Sequence, residues 1–134
     1  MQQGGRFQVG IVVQDLAPMV DFYEGLLGFE HIEDLEMPNG LMKRFVFGDS
    51  GLKLLALDEP RATAGTPGGP TGGISGIRYL TIEVPDVSAL VEKCVATGRA
   101  VPMPVFEYAP GMPVAMVEDP EGNWVELIQP APNG

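Results

Sequence analysis

Glu126 lies in Trp124-Val125-Glu126-Leu127-Ile128, a stretch with the alternation of a β-strand. Side chains of a strand point alternately to its two faces, so Glu126 shares a face with Trp124 and Ile128. A carboxylate among apolar neighbours is costly to bury without a partner. A metal ion, a cationic side chain or a polar ligand would serve. The turn before it, Asp119-Pro120-Glu121-Gly122, is built for a sharp reversal, because proline presets one backbone angle and glycine accepts a positive one. A second ionisable group is set in a comparable place: Lys53 interrupts the apolar run Leu52 to Leu57. The single histidine, His31, rules out any site built on two histidines of one chain, and it falls on a polar strand where exposure is expected. The single cysteine, Cys94, rules out an internal disulfide and sits among apolar helix residues, as a core residue would.

The elements that carry these residues follow from pattern. Phe7–Val13 reads as a strand, with Gln8, Gly10 and Val12 on one face. Asp15 stands at a helix start, Met19, Val20, Phe22, Tyr23, Leu26 and Leu27 recur at helical spacing, and Gly28 ends the run. Strands are expected at Phe29–Glu36, Leu41–Phe47 and Leu52–Leu57, the first two joined by a turn at Asn39-Gly40. Residues 58–76, rich in glycine and proline, read as a flexible connection that could act as a linker or a lid. The order then restarts: a strand over Ile77–Val84, a helix opened by Asp86 and closed at Gly98, and a strand over Val101–Glu107. Pro102 and Pro104 mark that strand as an edge, and a hairpin of Val114–Val117 with Asn123–Gln129 follows.

The chain is therefore a duplication of strand–helix–strand–strand–strand, with repeats at 7–57 and 77–129, a linker at 58–76 and tails at 1–6 and 130–134. Val13 aligns with Val84, Asp15 with Asp86 and Gln8 with Tyr79 at one offset. Lys53 aligns with Glu126 when the final strands are matched, allowing a slip of a residue or two for the shorter first turn.

The 134 residues suit one α+β domain with a sizeable core. A net charge of −10 argues against nucleic acid and against an anionic membrane surface. No apolar stretch reaches the length of a membrane-crossing helix, no signal peptide is visible, and a cytoplasmic setting is expected.

Taken together, Val9-Gly10-Ile11-Val12-Val13-Gln14-Asp15-Leu16, Leu27-Gly28-Phe29, Leu80-Thr81-Ile82-Glu83-Val84-Pro85-Asp86-Val87 and Asp119-Pro120-Glu121-Gly122-Asn123-Trp124-Val125-Glu126 resemble the vicinal oxygen chelate superfamily. This is the glyoxalase, bleomycin-resistance and extradiol-dioxygenase group, and the resemblance covers roughly residues 7–129. It implies two βαβββ modules forming a U-shaped sheet cleft, and a homodimer. It also implies four positions that hold one divalent metal in metal-using members, which here fall on Gln8, Lys53, Tyr79 and Glu126. Gln8 and Glu126 suit that role. Tyr79 offers a phenol that is neutral near pH 7, and Lys53 brings a charge that repels a cation. The cofactor is thus open between one divalent metal, on Gln8 and Glu126, and none, with Lys53 taking the metal's place in a buried ion pair.

Two functions are compatible with the resemblance. One is a lyase or isomerase, with Glu126 and Tyr79 as catalytic groups; extradiol dioxygenase chemistry needs two histidines, and this chain has one. The alternative is a non-catalytic binding or resistance protein for a small, antibiotic-like molecule. Gln8, Lys53, Tyr79, Glu83 and Trp124 are the expected ligand contacts in either case. Lys53 could otherwise snorkel to solvent, and Glu83 could be a solvated face. Arg44 and Arg78 could clasp a carboxylate or phosphate. Phe45, Phe47, Phe106 and Tyr108 could wall a cleft or simply pack.

Overall fold

The computed structural model describes residues 5–59 and 68–130. The expected tail residues 1–4 and 131–134, and 60–67 of the linker, lie outside the described residues. The chain forms two compact units, divided within the linker.

The first unit begins with β1 (Gln8–Val13), followed by α1 (Leu16–Val20), which continues as a wider π-type turn over Asp21–Leu26. Strands β2 (Glu30–Met37), β3 (Gly40–Phe47) and β4 (Ser50–Leu57) complete it. The sheet order is β1-β4-β3-β2, with β1 and β4 parallel and the other pairs antiparallel. The second unit repeats the scheme. After a 3₁₀ turn at Gly69–Thr71 come β5 (Tyr79–Glu83), α2 (Val87–Ala96), β6 (Met103–Ala109), β7 (Met112–Glu118) and β8 (Trp124–Ile128), in the order β5-β8-β7-β6. The expected βαβββ duplication is present, and each strand falls within a few residues of its expected range.

One face of each sheet carries the core. In the first unit Val13, Leu52, Leu54 and Phe45 are buried with Met19, Phe22, Tyr23 and Leu27 of the helical segment. Phe22, Tyr23 and Phe29 meet edge to face, with centroids 4.9 Å and 5.6 Å apart. Phe45 is therefore a core residue and walls no cleft, and Phe47 stacks on Phe29 at 4.7 Å. In the second unit Ile82, Ala115, Val117, Val125 and Leu127 are buried, as are Val87 and Cys94 of α2.

Two helix details depart from expectation. Asp86 caps α2 by accepting the Ala89 backbone N–H at 3.0 Å, whereas Asp15 forms no such capping bond. The first helix also does not run uniformly to Leu27: the N–H of Leu27 reaches the carbonyl of Phe22 at 3.0 Å, five residues back. The widening brings the successive aromatics Phe22 and Tyr23 both into the core, which a regular α turn would set about 100° apart. Gly28 then ends the segment with φ +86°, as read from the sequence.

The edge position of β6 is confirmed. Its pairing with β7 slips between Met103 and Phe106, around Pro104, which has no N–H to give to a ladder.

Candidate functional site

On the face opposite the core, strand register fixes what stands; in the second unit that face is exposed along β5 and buried along β7, at Val114 and Met116. In the second unit Tyr79 is opposite Trp124, Thr81 opposite Glu126 and Glu83 opposite Ile128. Met116 and Glu118 of β7 stand across from Glu126 and Trp124. Tyr79, Glu83, Trp124 and Glu126 therefore share one face, as the alternation required. Tyr79 is 43% exposed, so it is not a core tyrosine.

Glu126 has a partner on the neighbouring strand that sequence reasoning did not name. The hydroxyl of Thr81 donates to Glu126 Oε1 at 2.8 Å. The bond fixes the orientation of the carboxylate from the neighbouring parallel strand. Register alone could have found it, since the residue opposite Glu126 needed only the β5–β8 pairing.

Trp124 is also held. Its indole N–H donates to Glu118 Oε2 at 3.0 Å. Its ring lies against Gly69, where an added Cβ would overlap the benzenoid carbons. Gly69 is buried and has φ +68°, and Arg78 Nε donates to its carbonyl at 3.1 Å. Thus the last part of the glycine-rich connection is an ordered strap across Trp124, pinned by Arg78. Glu118 escaped the sequence reading; the need of a half-buried indole for an acceptor was the available signal.

The turn that delivers Trp124 and Glu126 is organised by Asp119, the one buried charged residue among those described. Its Oδ1 accepts the N–H groups of Glu121 at 2.8 Å and Asn123 at 3.0 Å, and its Oδ2 accepts the Asn123 side-chain amide at 2.9 Å. Gly122 takes φ +92°, as the turn reading required.

In the first unit, Gln8 is opposite Gly51, Gly10 opposite Lys53 and Val12 opposite Leu55. The Gln8 side chain lies over Gly51, where a Cβ would come within 2.8 Å of Gln8 Cγ. Across β4, Arg44 faces Lys53 and Met42 faces Leu55. Rows of like character therefore cross the sheet. One row is Gly10, Lys53, Arg44 and Glu33; the next is Val12, Leu55, Met42 and Leu35, wholly apolar. Arg44 is ion-paired to Glu33. Lys53, on the same face and half-buried, makes no ion pair or hydrogen bond among the described residues.

The two units agree in register. Lys53 lies two positions beyond the partner of Gln8, and Glu126 two positions beyond the partner of Tyr79. The anticipated slip does not occur, so Lys53 and Glu126 are true equivalents carrying opposite charges.

Set against a divalent metal, the four positions do not fit. An ammonium supplies no lone pair and a phenol is a weak donor, which leaves Gln8 and Glu126 alone of the four. No cluster of three or more histidine, cysteine, aspartate or glutamate side chains suited to a metal occurs among the described residues.

The remaining candidates lie elsewhere. His31 sits over Phe45 and contacts Asp34 at 2.6 Å, and Lys43 binds the same carboxylate at 3.0 Å. These two partners hold the Asp34 carboxyl below its ordinary range, Lys43 by the larger effect. Burial pushes the Cys94 thiol up. Phe106 and Tyr108 are exposed on the edge strand β6. No helix among the described residues is long and apolar enough to cross a membrane.

Comparison with solved structures returns the same fold. TnmS3, an antibiotic binding protein from Streptomyces sp. CB03234, is 26% identical over 98% of this chain and 99% of its own, with a TM-score of 0.70. A glyoxalase family protein from Bacillus cereus is 18% identical over 93% of each chain, with a TM-score of 0.81. TioX from Micromonospora sp. ML1 is 18% identical over 94% of this chain and 98% of its own, with a TM-score of 0.68. No curated protein matches the sequence. The sequence pattern of the Glyoxalase/Bleomycin resistance protein/Dioxygenase superfamily matches residues 6–127, and the chain belongs to that superfamily.

Proposed function

We propose that the chain binds a small organic molecule on the sheet faces opposite its cores without a metal, in the manner of an antibiotic-binding protein. Gln8 and Lys53 on the first unit's face, and Tyr79, Glu83 and Glu126 on the second's, are the contact residues in this reading, and Trp124 supports the second unit's face through its strap. The carrying observation is the equivalence of Lys53 and Glu126. The same strand-end position holds an ammonium in one unit, which offers a cation no lone pair, and a carboxylate in the other; each suits a polar group of an organic ligand on its own sheet. The likeness to TnmS3 supports the same class. Residues 7–129 act as one domain in this reading, and the protein works as a cytoplasmic homodimer.

A second reading is supported by the Thr81–Glu126 hydrogen bond. A carboxylate oriented in this way near Tyr79 is a candidate acid/base pair for a metal-free lyase or isomerase.

The test is a thermal-shift screen of the chelator-treated protein against aromatic natural-product antibiotics, with mass analysis of every compound that binds. A compound that raises the melting temperature of the wild type, is recovered unchanged, and loses its effect in Glu126→Gln and Tyr79→Phe supports binding. Conversion of the compound moves the assignment to the enzyme. A shift that disappears on chelation and returns with a divalent metal overturns the metal-free reading.

A further inference from the structure

We infer that the open face of the first unit receives an amphipathic anion, a small molecule with a carboxylate on an apolar body. Its charged group sits at Lys53 above Gly10, and its body lies along Val12, Leu55 and Met42. The inference rests on the small-molecule reading above and specifies the ligand class.

Three observations carry it. First, Lys53 and Arg44 stand directly opposite each other on adjacent strands, an arrangement that destabilises a sheet when both are charged. Arg44 is relieved by its ion pair with Glu33, and Lys53 has no counter-ion among the described residues. An anion supplied from outside would complete the row. Second, Gly10 has no local reason to be glycine. Its φ is not positive, and a Cβ added there meets nothing within 4 Å. Glycine inside a strand weakens it, and one recurrent reason for its presence is the close approach of a ligand. Here the vacancy lies directly beside the uncompensated ammonium. Third, the adjoining row is apolar across the sheet, and Val12 at its rim is 52% exposed. An apolar strip beside a lone cation matches an anion with a hydrocarbon body and fits neither a free inorganic ion nor a cationic drug.

The test uses the full chain, with decanoate as probe and decanol and decyltrimethylammonium as uncharged and cationic controls, read by calorimetric titration. Saturable decanoate binding is expected, with decanol weaker. Lys53→Met should weaken decanoate about tenfold, the worth of one hydrogen bond to a charged group, and leave decanol unchanged. Lys53→Arg should largely restore it. Gly10→Leu should abolish binding of both while leaving the melting temperature equal or higher, because it fills open space in a strand. Equal affinity of Lys53→Met and wild type, or preference for decyltrimethylammonium, overturns the inference. So does a face closed by a second copy, seen as decanoate binding only where sedimentation shows monomer. If the antibiotic screen succeeds and decanoate fails, the ligand class falls and the small-molecule reading stands. If Glu126→Gln is silent in that screen and decanoate behaves as expected, the second unit's contacts fall and the first unit's site stands.

Discussion

Replacing Gly69 with alanine tests whether the glycine strap is held by its contact with Trp124. Two costs are expected. The backbone at Gly69 has φ +68°, where an L-residue costs roughly 1–2 kcal/mol. The new methyl group would also overlap the Trp124 ring, and overpacking of that kind costs roughly 1–3 kcal/mol. Gly73 is the internal control: its φ is +79° and a Cβ there meets nothing within 4 Å, so Gly73→Ala carries the backbone cost alone. The difference between the variants isolates the ring contact at about 1–3 kcal/mol. A strap on the surface can relieve this by lifting away, which places the sharper signal at the indole. Trp124 is the chain's single tryptophan, so emission reports that position only. Gly69→Ala should shift the emission to the red and increase quenching by acrylamide, whereas Gly73→Ala should leave both near wild type. Urea midpoints should fall in the order wild type, Gly73→Ala, Gly69→Ala. Identical emission and midpoints for the two variants would show that the strap does not rest on the ring, and the contact would have to be abandoned.

Three further outcomes are expected. Asp119→Ala strands two backbone N–H groups and the Asn123 amide, so urea unfolding should show a loss of about 2–4 kcal/mol, with Asp119→Asn intermediate. Cys94 should not react with a thiol reagent in the native protein and should give one equivalent after denaturation; because burial raises its folded value, its contribution to stability is complete below the unfolded thiol's titration and fades as pH rises through the folded one. Asp34 behaves in the opposite sense: its folded value is depressed, so its contribution is present above the ordinary carboxylate range and is lost as pH falls through the folded value. A carboxyl titration followed by NMR should find it below a peptide aspartate, and Lys43→Met should move it back up.

The faces of the strands were legible in the sequence because they depend on alternation alone. Trp124, Glu126 and Ile128 could be separated from Val125 and Leu127 without knowing any neighbour. What pairs with what was less accessible. Thr81 is two residues from Tyr79 in sequence, but its bond to Glu126 exists only because β8 is inserted beside β5 in parallel. Asp119 was read as part of a turn through Pro120 and Gly122. Its own work, gathering three donors, depends on the folded shape of that turn. Phe45 shows the opposite limit: an aromatic on a mixed strand looks the same whether it faces a ligand or the helix, and here it faces the helix. The π-type widening at Asp21–Leu26 had no local mark, since the residues around it spell an ordinary amphipathic helix.

The sheet order also bears on how the chain is made. In each unit the strand synthesised last, β4 or β8, is an interior strand, lying between the strand synthesised first and a hairpin partner. Until β8 leaves the ribosome, β5 has no neighbour in its sheet, and the β6–β7 hairpin has one unpaired interior edge. Closing that gap joins residues about as far apart as the unit allows, a slow kind of contact. The first unit meets the same delay and resolves it once β4 is complete, with its sheet drawing no strand from the second half. Nascent chains stopped just short of β8 should therefore carry one finished sheet and one split sheet with two sticky edges, the state most exposed to misassembly.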